Sequence, residues 1–170
     1  MLNQYHARPM SKSFVIDSLE FARDSKAHAF SLEAADLPKI AELAVQTVQP
    51  LSVKIESGVR RDGKPFIDLE IVGSLLLECQ RCLEGLESEI NSRSRFIIAP
   101  TEDALADLSD ESDDVNSILA EHEFDLIGFV EDELLLSLPM IPKHDEGVCT
   151  RPESIIDSED VTNPFRILKR

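Results

Sequence analysis

The chain has 170 residues, no Trp, one Tyr and eight Phe, and a formal net charge of −16 at pH 7. That length suits a single domain over residues 1–170, with a core of Leu, Ile, Val and Phe. No stretch reaches the ~18 apolar residues of a membrane helix, the start lacks the apolar region of a secretory signal, and three cysteines suit a reducing cytoplasm better than a disulfide framework.

In chain order, residues 1–13 read as a flexible lead. A short helix is expected from Leu37 to Val48. Asp36 is its N-cap, Pro38 sits in its first turn where a missing N–H costs little, and Pro50 ends it. Val53, Ile55, Ser57 and Val59 then alternate with Lys54, Glu56 and Gly58 as a strand, and Asp62-Gly63 is a turn signal. A long strand follows, with Ile67, Leu69, Ile71, Gly73, Leu75, Leu77 and Cys79 on one face; Gly73 marks a bulge or bend. After the turn holding Cys79 and Cys82, Ile90, Ser92, Ser94, Phe96 and Ile98 share one face of a third strand. Residues 101–117 read as an acidic mobile loop, with seven acids and no base between Glu102 and Asp114 and too little apolar surface to offset ordering entropy. A helix capped by Asp125 follows. Its apolar stripe is Leu126, Phe129, Val130, Leu134 and Leu138, with Glu131, Asp132 and Glu133 mostly outside it, and Pro139 stops it. Residues 150–170 form an extended C-terminal tail ending in an apolar-basic run. The expected fold is α+β: an antiparallel sheet of long strands packed by a few helices, with an acidic mobile loop.

Charge is distributed unevenly. Residues 101–160 hold 19 Asp/Glu against Lys143 and Arg151, a balance of −17, while the last ten residues carry Arg166, Lys169 and Arg170 and no acid. Affinity for nucleic acid needs clustered cations, so such a chain suits a basic protein partner better than RNA. Asp110, Glu111, Asp113 and Asp114 are the candidate contacts for that partner. Arg60, Arg61, Arg93 and Arg95 are the candidate contacts if the chain binds RNA directly, although no aromatic residues interleave with them for base stacking.

Cys79 and Cys82 have the spacing that lets two thiolates reach one zinc from a tight turn, and His144 and Cys149 complete a Cys₃His set suited to a closed structural site. The competing reading makes Cys79 the last inward residue of its strand, a small buried apolar group. A redox dithiol fits less well, because such motifs open a helix and this one joins strands. His6, His28 and His122 have no partner acid or nucleophile at useful spacing. With no phosphate-binding glycine loop and no nucleophile elbow, nothing points to an enzyme.

Three motifs together carry a family resemblance. They are Leu77-Glu78-Cys79-Gln80-Arg81-Cys82 after a long strand, the stretch from Asp125 through Leu138-Pro139-Met140-Ile141-Pro142-Lys143-His144-Asp145, and the closing Asn163-Pro164-Phe165. From about Leu51 onward the chain resembles the bacterial YceD family, the large ribosomal RNA subunit accumulation proteins, in motif order. The resemblance implies a non-enzymatic cytoplasmic factor for ribosome biogenesis that works with a large-subunit precursor, ribosomal protein or rRNA, without membrane or small-molecule substrate. It implies metal-knuckle roles for Cys79, Cys82 and Cys149. His144 stands where other members can have cysteine, so a small structural zinc or thiol adaptor module remains an open reading.

Overall fold

The computed structural model describes residues 14–43, 46–108, 116–145 and 147–149. The lead 1–13, the acids Asp110, Glu111, Asp113 and Asp114, and the tail 150–170 lie outside the described residues.

The elements in order are β1 (Val15–Ile16), α1 (Ser18–Arg23), β2 (Ala27–Leu32), a 3₁₀ turn (Ala34–Asp36), α2 (Pro38–Leu43), β3 (Gln46–Val59), β4 (Pro65–Glu78), β5 (Gly85–Ala99), α3 (Glu102–Leu108), β6 (Asn116–Leu119), β7 (Phe124–Asp125) and α4 (Leu126–Ser137). Five strands form one sheet in the order β2-β3-β4-β5-β6, and β1 pairs separately with β7. Every pairing is antiparallel except β5 with β6. The α+β architecture on long antiparallel strands is therefore as the sequence implied.

Period-two alternation sorts the faces of the sheet. Leu51, Val53 and Ile55 of β3, Ile67, Leu69, Ile71, Leu75 and Leu77 of β4, and Ile90, Phe96 and Ile98 of β5 are all buried. They form one core with Phe21 of α1, Ile40 of α2 and Leu126, Val130 and Leu134 of α4. Asp68 and Glu70 point to the opposite face, directly across from Arg95 and Arg93.

Four expectations need correction. First, the helix expected over Leu37–Val48 is only Pro38–Leu43, and β3 begins at Gln46, so Val48 and Pro50 are strand residues. The β3 register shifts between Gln49 and Ser52, and Pro50 sits in that irregularity, where a missing strand N–H does little damage. Gly73 lies across from it. A Cβ at Gly73 would come within 3.1 Å of both the Leu51 Cα and the Pro50 carbonyl oxygen, so the glycine accommodates a bulge on the neighbouring strand.

Second, Asp36 does not cap α2. Its carboxylate accepts from the Glu33 N–H at 3.1 Å, and the residue ahead of Pro38 is Leu37, whose carbonyl accepts the Ala41 N–H at 2.8 Å. Third, the loop expected at 101–117 contains α3 and the start of β6. The Thr101 hydroxyl accepts from the Ala104 N–H at 3.3 Å, Glu102 and Asp103 occupy the first turn, and Ala104 and Leu105 pack on Ile97 and Ala99. A threonine cap followed by two acids is a helix-start signal, outweighed in the sequence reading by the acid count. Fourth, Glu131 is buried, not on the solvent side of α4.

Candidate metal centre

The β4–β5 connection is closed by its own backbone. The Cys79 N–H donates to the Glu84 carbonyl at 2.9 Å and the Leu83 N–H to the Cys79 carbonyl at 2.8 Å. Leu83 adopts φ +65°, a left-handed conformation that lets so short a turn close. Both thiols then project to the same side. The segment after α4 is brought there by the Gln80 N–H, which donates to the Pro142 carbonyl at 2.9 Å. The Arg81 guanidinium also donates to the carbonyls of His144 at 3.1 Å and Asp145 at 3.2 Å.

These contacts gather all four candidate ligands. One ligand atom from each of Cys79, Cys82, His144 and Cys149 lies within 4.8 Å of every other. Cys79 Sγ is 3.9 Å from Cys149 Sγ, and Cys82 Sγ is 3.4 Å from His144 Nδ1. A tetrahedral zinc with ordinary Zn–S and Zn–N bonds needs edges of about 3.8 Å between sulfurs and about 3.5 Å between sulfur and nitrogen. A disulfide would need its sulfurs at about 2.05 Å, and all three cysteines are free thiols.

The outer nitrogen of the histidine is fixed too. His144 Nε2 lies 3.1 Å from the Gly85 carbonyl oxygen, which only accepts, so Nε2 carries the proton and Nδ1 turns its lone pair into the cluster. A ligating imidazole is normally held in this way. The donor set therefore fits a structural metal of the zinc kind in chemistry and outer support, and the Cys79–Cys149 and Cys82–His144 edges match a tetrahedral site in length.

Electrostatics agree with the geometry. Burial pushes the Cys79 thiol up, but the backbone N–H groups of Cys82, His144 and Arg81 and the Cys82 side chain outweigh it and lower its pKa to about 5. For Cys82 the Glu84 backbone favours the thiolate, yet burial and the neighbouring Cys149 and Cys79 raise it. Without a cation, Cys79 ionises at the expense of Cys82; a divalent ion would supply the charge that favours thiolate ligands. Three thiolates around a divalent ion leave one net negative charge. The Arg81 guanidinium lies beside it, its own pKa raised first by Cys149 and also by Cys79 and Cys82. The sequence reading gave Arg81 no role at the centre. Its place inside a Cys-x-x-Cys knuckle was the available signal, but the carbonyls it holds are more than sixty positions away. Arg81→Ala is expected to weaken zinc affinity by about tenfold or more, the usual cost of removing support around a metal ligand. Competition against a chromophoric chelator would measure it, and an unchanged Kd would show that Arg81 is incidental.

The other predicted residues are dispersed. Arg93 pairs with Glu70, and Arg95 donates to both carboxylate oxygens of Asp68 at 2.6 Å while its guanidinium lies 5.1 Å from the centre of the Phe66 ring. Arg60 lies 3.3 Å from Asp62 in the β3–β4 turn, and Arg61 is exposed beside it. With Lys54 and Glu56 also paired at 2.6 Å, the outer sheet face carries cations held by neighbouring carboxylates. His122, expected to have no partner acid, pairs with Asp17, the N-cap of α1. Their separation of 105 positions kept the pair out of reach of spacing arguments.

The same segments carry the chain's relationships. A family profile described as "Large ribosomal RNA subunit accumulation protein YceD" matches residues 67–169, from β4 through the cysteine turn and α4 to the tail. The chain belongs to the YceD family. A Haemophilus influenzae protein named "Large ribosomal RNA subunit accumulation protein YceD" is 32% identical over 128 residues, which span 68% of this chain and 66% of that relative. No solved structure matches. Among the described residues, no helix of this YceD-family chain is long and apolar enough to cross a membrane.

Proposed function

We propose that this chain is a non-enzymatic cytoplasmic factor supporting accumulation of large-subunit ribosomal RNA, and that it acts by holding a basic ribosomal protein. The observation that carries the reading is membership of a family described by that role, through a match that includes both halves of the cysteine cluster. The protein-holding mechanism rests on charge. The chain carries −16 overall and −17 within residues 101–160, which steers a basic partner inward and RNA away. Three of the four arginines that would serve an RNA interface are paired with carboxylates, so phosphate binding would first have to break those pairs. Zinc held by Cys79, Cys82, His144 and Cys149 has a structural part here: it fixes the segment after α4 to the tip of the sheet.

A strain lacking the protein should show a selective deficit of large-subunit RNA and of large subunits in its ribosome profile. A normal profile under several growth conditions would overturn the biological role. Binding to a basic ribosomal protein should weaken steeply with salt. It should weaken again when Asp110, Glu111, Asp113 and Asp114 are changed to Asn or Gln. Binding indifferent to both would remove the holding mechanism. RNA retention abolished by charge reversal at Arg60, Arg61, Arg93 and Arg95 would replace it with direct RNA binding.

A further inference from the structure

Beside the cysteine cluster lies an apolar groove of about 890 Å³, walled by Leu43 at the end of α2, Leu136 at the end of α4 and the following Met140 and Ile141, with Leu77 of β4 also lining it. Leu136 is 82% exposed and Met140 99%. Contiguous apolar surface of this kind usually marks a binding site. Glu78 is the one charged side chain among the described residues lining it.

We infer that this groove is the docking site of the chain's own segment Asn163–Arg170. The segment offers Phe165, Ile167 and Leu168 as apolar anchors and Arg166, Lys169 and Arg170 as cations, with no acid. That composition complements a groove of apolar walls with one carboxylate. Position favours it as well. Cys149 lies 3.9 Å from Cys79, and Cys79 adjoins Gln80 on the groove wall, so the chain passes the end of the groove just before the tail. Fifteen residues separate Cys149 from Phe165, a reach of up to ~50 Å when extended, so any part of the groove is accessible. Tethering gives the segment an effective concentration on the order of millimolar. A second copy competes poorly, because two chains of −16 each repel one another.

The test uses the full metal-loaded chain with the photocrosslinker benzoylphenylalanine in place of Phe165, prepared as an equal mixture of light and heavy isotope forms. Irradiation should join residue 165 to peptides spanning 77–80 or 135–142, in light–light and heavy–heavy pairs only. Leu136→Asp with Met140→Asp should cut that yield at least tenfold. Both substituted side chains are exposed, so this variant should melt like the parent. Mixed light–heavy pairs would assign the groove to a second copy and overturn the inference. Crosslinks elsewhere, no crosslink, or crosslinks that survive the two aspartates would also overturn it.

Discussion

Changing Cys79 and Cys82 together to Ser should abolish zinc binding and lower the melting temperature of the zinc-loaded protein by roughly 10 °C. The size follows from linkage. A ligand bound only by the folded state at 100 to 1,000 times its Kd contributes about 3–4 kcal/mol, and a chain of this length loses about 2–4 °C per kcal/mol. The loss should be spatially uneven. None of the four ligands belongs to the main core, which runs from Phe21 through the sheet to Leu134, so the sheet should persist without metal. What a bound metal would hold is residues 143–145 and 147–149, otherwise tied down by Arg81 and by the Val148 N–H, which donates to the Asp145 carbonyl. Hydrogen exchange should therefore show protection lost at residues 79–84 and 143–149 on chelation and retained in β3, β4 and β5. Chelated protein and the double variant should behave alike. A double variant that melts with the zinc-loaded parent, or a chelator that changes nothing, would leave the cysteines as apolar packing groups only.

The cluster was legible in the sequence because its parts are local. Two-residue cysteine spacing is a property of one turn, and the long strand before it was readable from the alternation of Ile67, Leu69, Ile71, Leu75 and Leu77. The start of α4 was equally legible: the Asp125 carboxylate does accept from the Ile127 N–H, at 3.1 Å. The features that escaped depend on contacts made across the fold. Arg81 reaches carbonyls on a segment that only tertiary packing brings near. The length of α2 could not be read because Val48 continues its apolar spacing, while β3 starts at Gln46 and takes in Val48 at an irregularity of its pairing with β4. In α3, acid count suggested disorder, but Ala104 and Leu105 have buried apolar partners on β5. Amphipathic pattern showed which faces are apolar without showing which carboxylate another element would draw inward.

Glu131 is that carboxylate, and Glu131→Ala should cost about 3 kcal/mol of stability, a fall of about 6–12 °C in melting temperature. Its Oε1 accepts the Lys39 N–H at 2.6 Å and the Ile40 N–H at 3.2 Å, the orphan donors in the first turn of α2. Pro38 supplies no N–H, and the preceding Leu37 has no side chain able to cap. A glutamate more than ninety positions away thus does what a local Asp or Ser would ordinarily do, and its negative charge suits the positive end of the helix. Truncation leaves two N–H groups without partners beside the buried Ile40, which is why the expected loss exceeds that of an exposed cap. Glu131→Gln keeps an acceptor and gives up only the charge, so about 1 kcal/mol is expected. The effect reaches the groove, because α2 carries Leu43 on one wall and α4 carries Leu136 on another. Loosening their junction should reduce Phe165 crosslinking in folded Glu131→Ala protein while leaving zinc affinity unchanged. If both substitutions melt like the parent, the capping bonds contribute nothing. If alanine costs no more than glutamine, the loss comes from charge, not from unpaired backbone.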